Sequence, residues 1–349
     1  MAATAKPGSS GRALLTVLLI LVSLAVALGI GEVATRVLGF KPWAPWIKDS
    51  MFINDVPIMT EKHPVRGWTN KPGEYVYGAY EVGGDPVIVT NLPDNSRRTN
   101  DRPHRPERAA MTLVFAGGSN TFGTAISDHE TYAWQVQEKF PDFDVYNFAV
   151  AGYGTLQSLL TLQEKLPGIP GKKIVIYGFI GHHPQRNVVD SGWVKMLAVP
   201  GKAGQLPPYA TINEDGDLEI HPVSFFTPWP LKDKLAIVNT AETAYIELQT
   251  RAREQQKYAV TEKLVLEMQH LAKSGGAEFV VIFLKQQGGS AAMAEAFAGF
   301  LDSNGVNSID CSPGEYTDDM IVKIDGHPNG KVHSIWANCS ADYLRDALL

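Results

Sequence analysis

The chain has 349 residues, of which 44% are hydrophobic and 19% charged, and it carries a formal net charge of -6. That composition belongs to a globular protein with apolar material for one large or two modest domains, and it excludes a disordered chain. The acidic balance leaves no surplus for a phosphate backbone, and no Lys/Arg-rich run with interleaved aromatics is present, so nucleic acid is not an expected partner.

Residues 1–12 form a short polar tail with Lys6 and Arg12 and no acids. The next segment, 13–36, contains "ALLTVLLILVSLAVALGIG" (Ala13 to Gly31), an uncharged stretch long enough to cross a hydrocarbon core of about 30 Å. A signal sequence has this layout, and "AVA" at Ala25 to Ala27 imitates a cleavage site. The apolar run continues past it, however, beyond the usual signal length. The expectation is an uncleaved single-pass anchor, with a cleaved signal as the alternative. Arg36, Lys41 and Lys48 follow the apolar run, so the charge count does not favour the N-terminal side; the shortness of the tail sets the expected orientation, N-terminus inside and bulk exported. An exported domain sits in an oxidising compartment, where Cys311 and Cys339 would form a bridge contributing roughly 3–4 kcal/mol; two buried thiols are the alternative.

Residues 37–110 read as a linker and N-terminal extension. "KPWAPW" breaks the helical pattern, and Trp43 and Trp46 fit either a membrane-interface belt or packing on the domain. Strand-like pieces "EYVYGAYEV" and "DPVIVTN" precede "RRTNDRPHRPER", which reads as a polar loop.

From Met111 the pattern becomes α/β. "TLVFAGG", "FDVYNFAV" and "KKIVIYGFI" read as strands, with helices "ETYAWQVQEKF" and "TLQSLLTLQEKL" between them. Such alternation predicts parallel βαβ units. An insertion at 191–235, with "EDGD" as a hairpin turn, interrupts the rhythm. It resumes with one long helical stretch over 241–276, the strand "EFVVIFL", the helix "SAAMAEAFAGFLDSNG", the strand "NSIDC", and a final helix "KVHSIWANCSADYLRDALL".

Ligands of parallel sheets bind at the carboxyl ends of the strands, so the residues after each apolar run are the candidates for chemistry. Four ends are chemically loaded: "GGSNTFG", "AVAGYGT", "GFIGHHPQRN" and "KIDGHPNGKVH". A serine hydroxyl attacks only when a base removes its proton and a third group orients that base. Ser119 is the candidate nucleophile, and Asp325 with His327 could supply orienter and base from one loop. Gly152 sits where a strand gives way to a helix, and its N–H can serve an oxyanion. No spacing matches a zinc pattern and no cofactor motif is present, so neither metal nor cofactor is expected.

Together these four blocks resemble the SGNH (GDSL-type) esterases and lipases, in a membrane-anchored bacterial form. "VFAGGSNTFG" resembles the first family block, with Gly117, Gly118 and Ser119 where Gly-Asp-Ser is usual; "NFAVAGYGT" resembles the second; "DGHPNGKVH" resembles the last. "RGWTNKPGEY" and "TNLPDNSRR" resemble the N-terminal extension of anchored members. The resemblance, which runs from about Met111 to the C-terminus, implies a three-layer α/β/α sandwich around a parallel, flavodoxin-like sheet, spanning 111–349. It implies a catalytic triad of Ser119, Asp325 and His327, and an oxyanion hole of the Ser119 and Gly152 N–H groups. The chain departs from the family at three points. Gly118 replaces the Asp, the Asp325/His327 spacing is one residue short, and His182 stands where an Asn amide is usual. His182 is therefore expected to complete the oxyanion hole, with His183 as the alternative donor; His183 and Arg186 are the expected substrate contacts.

The implied activity is an exported serine esterase in the bacterial inner membrane with its catalytic domain in the periplasm. Its expected substrates are acyl esters, chiefly O-acetyl groups, of envelope or secreted polysaccharide. An O-acyltransferase using the same residues, and an SGNH-fold carbohydrate-binding or assembly subunit of impaired activity, are the alternatives. A lysophospholipase is a further option, given the nearby bilayer and the apolar insertion. Expected partners are the acylated polysaccharide, the membrane, and envelope polysaccharide-export or acetylation proteins.

Overall fold

A computed structural model describes residues 9–44, 58–78, 85–201, 203–285, 291–323 and 325–348; Lys6, Trp46 and Lys48 lie outside the described residues. The apolar N-terminal run forms one helix, α1 (Ser9–Val37), of which Gly11–Val37 is long and apolar enough to span a membrane. Two antiparallel hairpins follow: β1 (Thr60–His63) with β2 (Gly67–Asn70), and β3 (Gly73–Tyr77) with β4 (Val87–Asn91).

The core begins with β5 (Thr112–Gly117), the one-turn helix α2 (Ser119–Phe122), α3 (Tyr132–Lys139), β6 (Asp144–Asn147), α4 (Thr155–Lys165) and β7 (Lys173–Phe179). The short helices α5 (His183–Asn187) and α6 (Ser191–Leu197) lead into an excursion of β8 (Gly204–Leu206), β9 (Tyr209–Ile212), β10 (Leu218–His221) and β11 (Ser224–Phe226), in which the β9–β10 hairpin is nested inside the antiparallel pair β8–β11. Gly216, with φ +85°, turns the chain between β9 and β10. The chain returns through α7 (Ala236–Glu254), α8 (Lys257–Ser274), β12 (Ala277–Phe283), α9 (Ala291–Ser303), β13 (Asn307–Asp310) and α10 (Gly330–Leu348).

Five strands form one parallel sheet in the order β13-β12-β7-β5-β6. Read from the β6 edge and counted within the sheet, the order is 2-1-3-4-5, the flavodoxin-like winding. Both faces of the central strands are covered, which is why each reads as an unbroken apolar run. Leu113, Phe115, Ile174, Ile176, Val280 and Ile282 face α3 and α10, whereas Val114, Ala116, Val175, Tyr177, Val281 and Phe283 face α4, α8 and α9. The architecture is thus a three-layer α/β/α sandwich preceded by an N-terminal helix. Cys311, at the end of β13, is disulfide-bonded to Cys339 of α10.

The predicted single helix over 241–276 is two. α7 packs on α1 and α6, and α8 packs on α4 and β12, so the chain bends at Gln255–Gln256 to serve both surfaces. The bend is held from outside, by Gln256 Oε1 accepting the Ile212 N–H at 2.7 Å and Arg253 donating to the Val189 carbonyl.

Candidate active site

The winding reverses between β5 and β7: the chain leaves β5 toward β6 and then returns to β7 on the other side. That crevice, at the carboxyl ends of the strands, is where an open α/β sheet binds ligands. Ser119 opens α2 directly after β5 and is 4% exposed. The loop after β6 runs beside it, the Val150 N–H donating to the Gly117 carbonyl at 3.2 Å. Gly152, in that loop, adopts φ +85°, and a Cβ there would approach Trp68 to 3.0 Å, so only glycine fits. Among the described residues neither the Ser119 nor the Gly152 N–H is spent on a hydrogen bond. Two unspent backbone donors in adjoining loops are what an oxyanion needs.

The Asp325/His327 pair forms despite its short spacing. Gly326, at φ +80°, folds the loop back so that the Asp325 carboxylate accepts both the His327 N–H, at 3.2 Å, and His327 Nδ1–H. The bond at Nδ1 leaves Nε2 as the basic nitrogen, and among the described residues Nε2 has no partner. The loop is seated beside the Ser119 loop: Val322, whose N–H donates to the His327 carbonyl, packs against Ala125 and Ile126. Ser119 Oγ makes no hydrogen bond among the described residues. Catalytic contacts of this kind are commonly formed only once substrate is bound.

His182 is exposed at the mouth. Partial desolvation, then the Arg186 charge, lowers its pKa, which favours the neutral ring with one N–H to offer. His183 departs from expectation. It is wholly buried, its Nδ1 sharing a 2.6 Å hydrogen bond with the Tyr177 hydroxyl, and it offers no surface to a substrate. Burial, then the Arg186 charge, holds it far below the usual imidazole range. Its Nε2 and the Arg186 guanidinium occupy the space beside Gly118, 3.0 and 3.1 Å from where a Cβ would stand. The Tyr153 carbonyl oxygen stands closer still, 2.9 Å from that Cβ position, and as a backbone atom it leaves little room for any side chain at 118.

Arg186 donates to the Tyr153 carbonyl at 3.0 Å and lies 4.9 Å over the Trp193 ring. Burial lowers its pKa to about 10, and no carboxylate pairs with it among the described residues. It is a cation without a counter-charge beside the Ser119 loop.

Sequence reasoning missed three supports. Arg97, in the loop read as polar, is fully buried: it pairs with Asp128 at 2.9 Å and donates to the carbonyls of Phe122, Gly123 and Ile126, holding the turn after Ser119. Asn147 pins the same turn by donating to the Thr121 carbonyl. The β1–β2 hairpin clamps the Gly152 loop, with Trp68 Nε1 donating to the Ala151 carbonyl and Asn70 to that of Ala149. The fragments "RGW" and "SRR" carried no periodicity that would mark them as buried. His333 is a packing residue: fully buried in the first turn of α10, its Nδ1 accepts the Tyr132 N–H that opens α3.

No protein-family model matches the sequence, and no curated protein matches it. Among solved structures, the chain is similar to a member of the lipolytic protein G-D-S-L family from Veillonella parvula DSM 2008 (10% identity, 67% of this chain and 97% of that one, TM-score 0.38). It is also similar to an acetyl xylan esterase, Est2A, from the rumen bacterium Butyrivibrio proteoclasticus (12% identity, 72% and 67%, TM-score 0.39). A third likeness is to an extracellular lipase from Streptomyces rimosus (14% identity, 68% and 100%, TM-score 0.35).

Proposed function

We propose that this chain is an SGNH-type serine acyl hydrolase, exported and held in the bacterial inner membrane by α1, with its catalytic domain on the periplasmic side. The observation that carries the reading is the Asp325/His327 pair, which fixes the imidazole with a free Nε2 in the loop that packs beside Ser119. In this reading His327 Nε2 takes the Ser119 hydroxyl proton as Oγ attacks the ester carbonyl, and Asp325 stabilises the imidazolium. The Ser119 and Gly152 N–H groups, with the neutral His182 ring, hold the oxyanion. His327 then returns the proton to the departing alcohol. Water, deprotonated by the same nitrogen, releases the acid and restores Ser119.

The proposed substrates are O-acetyl esters of envelope or secreted polysaccharide, the acyl esters an exported domain meets. Arg186, which pairs with no carboxylate among the described residues, fits an acidic group on that glycan. Trp68 and Trp193 flank Gly152, and aromatic faces suit sugar rings; the same residues would serve a second reading, transfer of the acyl group to a sugar hydroxyl. The full-length protein should release acetate from an acetylated acidic glycan and Ser119→Ala should not. Acetylation of an added acceptor glycan instead of acetate release would favour transfer, and preferential release of long-chain fatty acid would overturn the polysaccharide reading.

A further inference from the structure

In α1, a stretch of about 20 residues from Gly11 spans about 30 Å, the thickness of a hydrocarbon core. The first charged residues after it, Glu32 and Arg36, therefore mark the headgroup level. At that level the helix is docked to the domain. The Glu32 carboxylate accepts the N–H groups of Ala236 and Ile237, at 3.0 and 2.9 Å, capping α7, whose own N-cap position, Leu235, supplies no side-chain cap. Arg36 donates to the Lys234 carbonyl, the Trp43 N–H to that of Lys232, and Asn239 to that of Lys41. Residues 232–239 are thus fastened to the point where the anchor leaves the bilayer.

The preceding loop is tied inward by its polar groups and turns its apolar side chains outward. Lys232 and Glu242 form a fully buried ion pair, and Glu242 also accepts the Trp229 N–H at 2.6 Å. Next to these buried groups, Trp229 is 37% exposed and Leu231 57% exposed. Leu231 holds φ +66°, a left-handed conformation unfavourable for a branched side chain. Trp229 contacts Tyr245 of α7, itself exposed, and exposed Leu248 follows one turn on. Exposed Arg36, Lys41 and Lys234 lie around the same point, Arg36 paired with Glu32 and Lys234 with Asp233.

We propose that Trp229 and Leu231, with Tyr245 and Leu248 beside them, form a membrane-resting surface that inserts into the headgroup boundary of the bilayer crossed by α1. The occupant is lipid because the surface is continuous with the anchor. Tryptophan, tyrosine and flanking cations are the residues that settle at that depth, and burial in lipid offsets the cost of exposing the strained Leu231. Through α6, which packs on α7 and carries Trp193, this surface fixes the height and orientation of the active-site mouth over the membrane. The inference rests on reading α1 as a bilayer anchor.

Full-length protein is reconstituted in phosphatidylcholine/phosphatidylglycerol vesicles with acyl chains brominated near the headgroup. Bromine quenches nearby indoles, so Trp229→Phe should lose a bromine-sensitive part of the emission, and Leu231→Trp in that background should restore it. Leu28→Trp, one turn below Glu32 on the exposed anchor, reports the anchor separately at the depth of the bromines. Quenching of the anchor indole with unchanged quenching on Trp229→Phe, and none gained at 231, overturns the membrane-resting surface alone. An anchor indole that bromine does not reach overturns both readings.

Discussion

Asp325 grips His327 at two points, through its ring Nδ1 and its backbone N–H, within a turn that only the left-handed Gly326 allows. The shortened spacing thereby yields an oriented base. Asp325→Asn leaves the turn bond but offers an amide donor to the ring, favouring the wrong tautomer. We expect kcat on an acetyl ester to fall about a thousand- to ten-thousand-fold with KM little changed, measured by steady-state kinetics.

Arg97 and Asp128 make the second relationship on which the site depends. Removing the guanidinium strands a buried carboxylate and three carbonyls of the turn after Ser119. Arg97→Gln should therefore destabilise the fold by about 3–5 kcal/mol, read from chemical denaturation in detergent, and should lower kcat in whatever fraction still folds.

His183 and His333 are both buried and both held neutral, chiefly by desolvation. Their folded pKa values lie below the unfolded value of about 6.5, so below that pH the unfolded chain binds protons that the native state refuses. The native state is at no disadvantage above about pH 6.5 and loses stability as pH falls. Each histidine should contribute about 1.4 kcal/mol per pH unit in the acid limb. His333→Asn, which keeps an acceptor for Tyr132, should reduce the slope by one such increment between pH 6 and 5; an unchanged slope would count against a neutral buried ring.

Arg186 should set substrate charge preference. Arg186→Gln is expected to lower the ratio of kcat/KM for an acidic acetylated glycan over a neutral one by about 10- to 100-fold, the loss of one charge-assisted hydrogen bond. Arg186→Lys should recover part of that ratio. Equal losses on both substrates would assign Arg186 only to holding the Tyr153 carbonyl.

The sandwich was legible because both faces of its strands are buried, which makes β5, β7 and β12 continuous apolar runs. Ser119, Gly152 and the Asp325/His327 pair were legible because they follow such runs or fall in a Gly-rich loop. What was hidden depends on distant partners. Arg97 looks like any arginine of a polar loop until three carbonyls converge on it. His182 and His183 are neighbours of one type, and only the start of α5 sends one outward and the other under Gly118. The bend between α7 and α8 contains no glycine or proline, and exists because the two helices pack on different elements.

The most direct test is active-site labelling. Folded full-length protein is treated with an activated phosphonate and the adduct is located by mass spectrometry. A single adduct on Ser119, absent in Ser119→Ala and strongly slowed in His327→Ala, is the predicted result. An unmodified Ser119, under conditions where a known serine esterase reacts to completion, would contradict the nucleophile and with it the proposed activity.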